Sequence, residues 1–387
     1  MALLGHSGSH APQLMHSSVI MMDMAGTFGW QMYNVNKLFS GLVQLGEWLR
    51  AEASIDPPTL RSAEAQNGWF TSESVTQACQ SHGEALRPEE IKRWRQKYVW
   101  PEGPTGLSVG LIMAGNLPMV GWHDFMCAVL AGHDVHVKLS KDDAVLLRRV
   151  FEHWCTFCPS LEARVTFHDG MMKGMDAIVA TGGKNAGRYF KSYFGHLPHL
   201  FRGQRTSVAV LDGGEVEAEL KALGQDVFAH FGMGCRSVTK LWIPSDFNLD
   251  RCFGAWIGWG HLAQHGKYAN NYDYHKAVWL LNREDLIENG FVLVKEEREG
   301  LVSPIGTLYV ERYDDLNAVQ AQLHDRSDEL QVVTVRPEGE AWEALASSEL
   351  LRVVPCGANQ HPKLDDYADG VDTVQFLLSL NGEEGKT

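Results

Sequence analysis

Nothing in this 387-residue chain approaches the run of about 20 apolar residues that spans a bilayer. Positive charge is scarce: 34 Lys and Arg stand against 48 Asp and Glu, a formal net charge of −14. That balance argues against a nucleic-acid binder, which needs clustered cations to displace counterions from phosphates. No Lys or Arg precedes Gly26, and the apolar stretch Val19-Ile20-Met21-Met22 is short. The charged start and the roughly 7–15-residue apolar centre of a secretory signal are therefore both missing. The seven cysteines are odd in number and scattered, which argues against a disulfide framework and for a reducing, cytoplasmic setting. Cys155-Thr156-Phe157-Cys158 has the spacing of half a zinc site, but no second Cys or His pair follows, so no metal is expected. A G-x-G-x-x-G fingerprint after the first predicted strand is also lacking, which excludes the conventional Rossmann dehydrogenase.

What the chain does contain is a core. At 44% hydrophobic and this length, it has material for two or three domains. The 38 glycines suit close approaches of backbone to ligand. Residues 1–20, low in complexity and rich in His, Ser and Met, read as a tail, with Met21, Met22 and Met24 as alternative starts. From Phe28 to Glu52, Trp30, Met32, Val35, Leu38, Phe39, Leu42, Leu45 and Leu49 recur at helical spacing, and Pro57-Pro58 closes that element. Further helices are predicted over Thr71–Ala85 and Pro88–Tyr98.

After Pro104 the texture changes. Strands are predicted at Ser108–Met113, Asp134–Lys138, Arg164–Phe167 and Asp176–Ala180, with helices at Trp122–Leu130, Asp142–Phe157 and Asn185–Phe194 between and after them. Such alternation builds right-handed βαβ units and a parallel sheet, whose ligands sit at the carboxyl ends of the strands. Those ends carry Asn116, Lys138 and Thr181-Gly182-Gly183. A second unit opens at Ser207–Leu211, with a helix over Val216–Phe231 and a strand over Lys240–Pro244. Between them lies Gly232-Met233-Gly234-Cys235-Arg236, whose glycines admit a close approach and whose Arg favours a thiolate. The Trp256–Trp259 run, among Gly254, Gly258 and Gly260, reads as a packed helix, with the lining of an acyl tunnel as the alternative.

The order of these segments carries a resemblance. Asn116-Leu117-Pro118 followed by Ala131-Gly132-His133-Asp134-Val135-His136-Val137-Lys138-Leu139-Ser140 resembles the "N-x-P … A-x-G-N-x-V-x-x-K-x-S" stretch of the aldehyde dehydrogenase superfamily. Thr181-Gly182-Gly183 to Gly187 is similar to its "T-G-S-x-x-x-G" nicotinamide loop, and Gly232–Cys235 to its "G-Q-x-C" nucleophile motif. Phe201–Leu211, Gly234–Val238, Lys267–Tyr274 and Asp366–Thr373 resemble the LuxC-like acyl-CoA reductases within that superfamily. The likeness covers roughly residues 100 to 380.

The resemblance implies a Rossmann-type parallel-sheet cofactor domain and a second α/β catalytic domain. The expected division is a tail and helical region over 1–100 packing on the cofactor domain, that domain over 101–206, the catalytic domain over 207–350, and a C-terminal segment over 351–387. In that last segment, Thr373–Leu380 is expected as a strand and an oligomerisation element, in a homo-oligomer. Cys235 is the implied nucleophile, and Asn116 the implied donor to the oxyanion. Lys138, Ser140, Lys141, Thr181, Gly182 and Gly183 are the implied cofactor residues. Lys141 stands where NAD-preferring relatives often carry a Glu, so NADPH is expected over NADH.

Two departures favour reduction of an acyl thioester over oxidation to an acid. Leu200–Arg205 has no carboxylate where oxidising members keep the Glu of E-L-G-G-K, and Ser303–Thr307 keeps only the Gly of E-x-F-G-P. Arg202, Arg205 and Arg236 are candidates to meet phosphates of coenzyme A or the cofactor, and His199 and His230 to carry protons. The competing readings are a semialdehyde dehydrogenase or glutamyl-phosphate-type reductase, and a catalytically silent binding subunit.

Overall fold

The computed structural model describes residues 33–51 and 54–382. The tail over 1–20, the start of the predicted first helix with Trp30 and Met32, and its end at Glu52 lie outside the described residues. Four helices lead the described chain: α1 (Val35–Arg50), α2 (Pro57–Gln66), α3 (Ser72–Ala85) and α4 (Pro88–Arg95). α1 starts where the Asn34 side chain accepts from Lys37 N, and it buries Leu38, Phe39, Leu42, Leu45 and Leu49. Pro57 does not merely end the element before it; it opens α2 behind an Asp56 cap. A proline at the first helical position gives up an N–H that has no intrahelical partner in any case.

Next comes a five-stranded, all-parallel sheet of order β3-β2-β1-β4-β5, built from β1 (Ser108–Ile112), β2 (Asp134–Lys138), β3 (Val165–Phe167), β4 (Ala177–Thr181) and β5 (His199–Arg202). Helices α5 (Trp122–Leu130) and α6 (Leu146–Phe157) join Val109, Leu111, Val135, Val137 and Val179 in one core with α1–α4. The helix predicted from Asp142 splits: Lys141–Asp143 is a separate 3₁₀ turn capped by Ser140. β5 was not foreseen, because its four residues alternate around a buried arginine instead of apolar side chains. Helix α7 (Lys184–Phe194) covers the opposite face, where Phe190 and Phe194 pack near Ile178 and Ala180.

The second sheet has seven strands in the order β12-β11-β6-β7-β10-β9-β8. They are β6 (Thr206–Val210), β7 (Val238–Pro244), β8 (Ile287–Glu288), β9 (Leu293–Glu296), β10 (Thr307–Tyr313), β11 (Leu330–Val335) and β12 (Val353–Pro355), all paired in parallel except β8 with β9. Helices α8 (Glu217–Phe228), α9 (Asp250–Ala255), α10 (Gly266–Leu281), α11 (Leu316–Asp325) and α12 (Glu340–Leu345) lie among these strands in the chain.

Two expectations fail here. The Trp256–Trp259 run is the end of the short α9 and a 3₁₀ stretch, Ile257–Gln264. Trp256 is fully buried with its indole N–H on Leu220 O, and its ring packs edge-on against Phe228. Thr373–Leu380 is not a strand: α13 (Thr373–Ser379) is a helix capped by Asp372, and Val374 and Leu377 are buried in the core of the first sheet. The chain thus returns at its end to the unit it left at residue 206.

Candidate active site

Two loops meet between the sheets. The first leaves β1 and carries Asn116; the second joins α8 to β7 and carries Cys235. Asn116 is exposed, and its Nδ2 donates to Met233 O at 3.2 Å. Gly234 lies tight in this approach: a Cβ there would lie 3.0 Å from Leu117 Cδ1. Gly115 is more tightly confined, with a Cβ there 2.5 Å from Ser140 Cβ, and Asn67 Nδ2 holds its carbonyl at 3.2 Å. The loops are therefore matched in shape.

The Cys235 loop is strained where it begins. His230, Phe231 and Gly232 have φ of 50°, 60° and 74°, and only the glycine adopts that region freely. Tertiary contacts hold the other two. His230 Nδ1 lies 2.9 Å from Ser74 Oγ, and Phe231 is buried against Trp69 and His265. Beyond the strain, Ser237 Oγ accepts from Gly234 N, Ser207 Oγ donates to Cys235 O, and Asn359 Nδ2 donates to Arg236 O. The backbone is fixed on each side of Cys235, and the residue itself is exposed.

Cys235 is the one exposed cysteine of the seven; Cys79, Cys127, Cys158 and Cys252 are buried, and Cys155 and Cys356 half-buried. The protein massed around the Cys235 thiol pushes its pKa up; Arg236 pulls it down, and Asp369 adds to the rise. The expected thiolate-favouring role of Arg236 is thus outweighed. Its guanidinium is occupied, with Nη1 3.0 Å from Asp366 Oδ2 and Nη2 2.7 Å from Oδ1.

The other arginines put forward for phosphates are also spent internally. Arg202 is buried, bound to both carboxylate oxygens of Asp124 and to Ala368 O and Thr373 Oγ1. Arg205 donates to Leu330 O at 2.9 Å and sits 3.7 Å from Asp369. Of the two histidines named as proton carriers, His199 is exposed and stacked on Phe201, while burial drives the His230 pKa down to about 4 and leaves it neutral.

One carboxylate escaped the reading of residue order. Asp369, with φ 58°, sits on the Gly203 N–H within the stretch that lacks a carboxylate of its own, and its charge reaches the Cys235 thiol. The Asp366–Thr373 motif carries it; only folding reveals that this segment lies on strand β5 and the cysteine loop. The Ser303–Thr307 stretch also comes to the site, lining a cleft with Phe231, Gly232, Val238 and Tyr268.

The cofactor candidates occupy the carboxyl ends of β2 and β4, on either side of β1. Lys138 is half-buried at the end of β2, and Lys141 is exposed in the following turn. Neither ammonium has an ion-pair or hydrogen-bond partner among the described residues, whereas Ser140 Oγ accepts from Asp142 N. Thr181 ends β4 opposite Arg202. Gly182 packs so that a Cβ would meet Ala186 Cβ at 2.7 Å, while Gly183 opens α7 with free space around it and no side-chain cap. Unanswered cations beside an uncapped helix N-terminus fit the phosphates of a dinucleotide. Cys158 Sγ donates to Lys37 O, and no group of three or more metal-ligating side chains occurs among the described residues.

This architecture, two α/β units facing one another across an exposed cysteine and an Asn, is the aldehyde dehydrogenase fold. Its solved relatives include aldehyde dehydrogenase 21 from Physcomitrella patens with bound succinate (TM-score 0.64, 11% identity, 95% of this chain and 89% of that one). An acetylating aldehyde dehydrogenase from Geobacillus thermoglucosidasius (TM-score 0.59, 14% identity, 89% and 86%) shares the fold. So does the indole-3-acetaldehyde dehydrogenase of P. syringae bound to NAD+ (TM-score 0.59, 12% identity, 86% and 78%). In sequence the chain is similar to long-chain acyl-protein thioester reductases. It is 21% identical over 318 residues to the long-chain acyl-protein thioester reductase of Aliivibrio fischeri, covering 73% of this chain and 64% of the relative. Long-chain acyl-protein thioester reductase 2 of Photobacterium leiognathi is 24% identical over 322 residues, with the same coverages. The chain thus spans 64% of the length of these curated relatives. No family model matches it.

Proposed function

We propose that this chain reduces an acyl thioester, acyl-CoA or another, to the aldehyde with NADPH through an acyl-Cys235 intermediate. The observation that carries the reading is the contact of Asn116 Nδ2 with the backbone two residues before the exposed Cys235. The thiolate of Cys235 attacks the thioester carbonyl, forming a C–S bond. Asn116 Nδ2, together with the Cys235 backbone N–H, then steadies the developing oxyanion. Collapse expels the substrate's thiolate, a good leaving group with an ordinary thiol pKa of about 8.5, and leaves the acyl group on Cys235. A bound nicotinamide cofactor supplies the hydride that takes the acyl group to the aldehyde level. The resulting thiohemiacetal oxyanion expels Cys235 as thiolate and releases the aldehyde.

In this reading Lys138, Lys141 and the Thr181-Gly182-Gly183 turn hold the cofactor, with Ser140 shaping the turn between the lysines. Residues 101–206 form the cofactor unit and 207–350 the catalytic unit, in a cytoplasmic homo-oligomer. The test is incubation with acyl-CoA of several chain lengths and NADPH, following free thiol and NADPH absorbance together. Coupled thiol release and NADPH loss are expected, both abolished in Cys235→Ala. Turnover that survives that substitution, or no thiol release at any chain length, refutes the proposal.

A further inference from the structure

The turn between α2 and α3 touches both sides of the candidate active site. It belongs to the helical front, ahead of every segment that resembles the aldehyde dehydrogenase motifs. On one side, Asn67 Nδ2 donates to Gly115 O at 3.2 Å, next to Asn116. On the other, Gly68 O accepts from His265 Nε2 at 2.9 Å. The Trp69 ring stacks on His265 and packs on Phe231, at the strained start of the Cys235 loop. Trp69 also packs against the hydrophobic cores of both units.

Asn67 is itself held in place. It is buried, its N–H donates to Ala63 O, its carbonyl accepts from Phe70 N, and its Oδ1 accepts from Trp69 N at 3.1 Å. Trp69 N can only donate and Gly115 O can only accept, so the orientation of the amide between them is fixed. The loop it reaches has little else to hold it. Across residues 114–116, the one backbone hydrogen bond among the described residues is the bond from Asn67 to Gly115 O. The flanking ties to the cofactor unit are Met113 N on Lys138 O and Met119 N on Asp143 Oδ2. A peptide unit is planar, so holding the Gly115 carbonyl also sets the plane that carries Asn116 N.

Resting on the reading of Asn116 as donor to the oxyanion, we infer that Asn67 is a positioning residue: by holding the Gly115 carbonyl it aims the Asn116 side chain. It acts through that loop and not on the reacting atoms. An oxyanion donor is effective when its geometry is set before the charge develops, so misplacing it costs kcat. The competing role for Asn67 is to close the end of α2 through its bonds with Ala63, Phe70 and Trp69.

Asn67→Asp separates the two roles at about pH 8, well above the ordinary carboxyl range. The carboxylate still accepts from Trp69 N but cannot donate to Gly115 O. With acyl-CoA and NADPH, kcat should fall about tenfold with little change in KM. Alkylation of Cys235 by iodoacetamide, which needs no oxyanion donor, should keep the parent rate. In an Asn116→Ala chain the same substitution should change single-turnover reduction by less than about twofold, since its effect passes through Asn116. Asn67→Ala, which brings in no charge, should show the same dependence on Asn116 and serves if the Asp variant does not fold. An unchanged kcat, an equal fall with and without Asn116, or a parallel loss of alkylation overturns the inference while the reduction reading stands. Failure of the parent chain to release thiol overturns that reading and the inference with it.

Discussion

Asn116 touches the loop that carries Cys235 and the charge of Asp369 reaches its thiol, and their removal should separate. Asn116→Ala deletes one preorganised donor, so kcat should fall about 10²–10³-fold with little change in KM. Steady-state kinetics check it, and an unchanged kcat would remove Asn116 from the oxyanion site. Asp369→Asn removes a negative charge that raises the Cys235 pKa and frees Arg205 from its carboxylate partner. Loss of that charge stabilises thiolate, so the rate of alkylation of Cys235 by iodoacetamide should reach its plateau at lower pH than in the parent chain. Cys235→Ala provides the blank. A profile unmoved or shifted upward would show that Asp369 does not reach the thiol. Residue order could nominate Cys235 and Asn116, since each sits in a local Gly- or Pro-bounded motif. It could not nominate Asp369, whose relation to Gly203 spans more than 160 positions.

At the scale of elements, the site depends on how closely two loops approach. Gly234→Ala would place a methyl 3.0 Å from Leu117 Cδ1 and push the Asn116 loop away from the cysteine. We expect a stability loss below about 1 kcal/mol, since the neighbour is the end of a flexible side chain, but a kcat reduced about tenfold. The double variant Gly234→Ala/Leu117→Ala should recover activity; if it does not, the approach of the loops is not what the glycine protects. Strands with apolar runs, β1, β4 and β6, were legible because a strand buried on both faces is apolar throughout. β5 was not, because its inward Arg202 is satisfied only by partners from α5 and the C-terminal segment. α2 was missed for a different reason: proline is read as a terminator, but at a helix start it is a good first residue.

For the whole molecule, residues 364–373 act as a strap across both sheets. Asp366 takes Arg236 of the Cys235 loop, while Ala368 O and Thr373 Oγ1 take Arg202, itself paired with Asp124. Arg202→Met should leave Asp124 uncompensated in a half-buried site, at a cost of about 3–5 kcal/mol. Urea unfolding measures it; a loss under about 1 kcal/mol would mean that the strap does not join the units energetically. The net charge of −14 sharpens the point: Arg202 and Arg236 serve this strap, whereas Lys138 and Lys141 have no ion-pair partner among the described residues.

Residue order alone was enough for the strand–helix alternation, the switch from a helical front to a parallel sheet, and the candidate thiol between two glycines. Each of these is written in contacts a few positions apart, where spacing and turn chemistry dominate. The partners of Arg202, Arg205 and Arg236, the arrival of Asp369 at Gly203, the helical state of Thr373–Ser379 and the half-buried His136–His168 pair were decided only when distant segments met. A side chain's type states what it can bind, but which of several equal partners it finds depends on the path of the whole backbone.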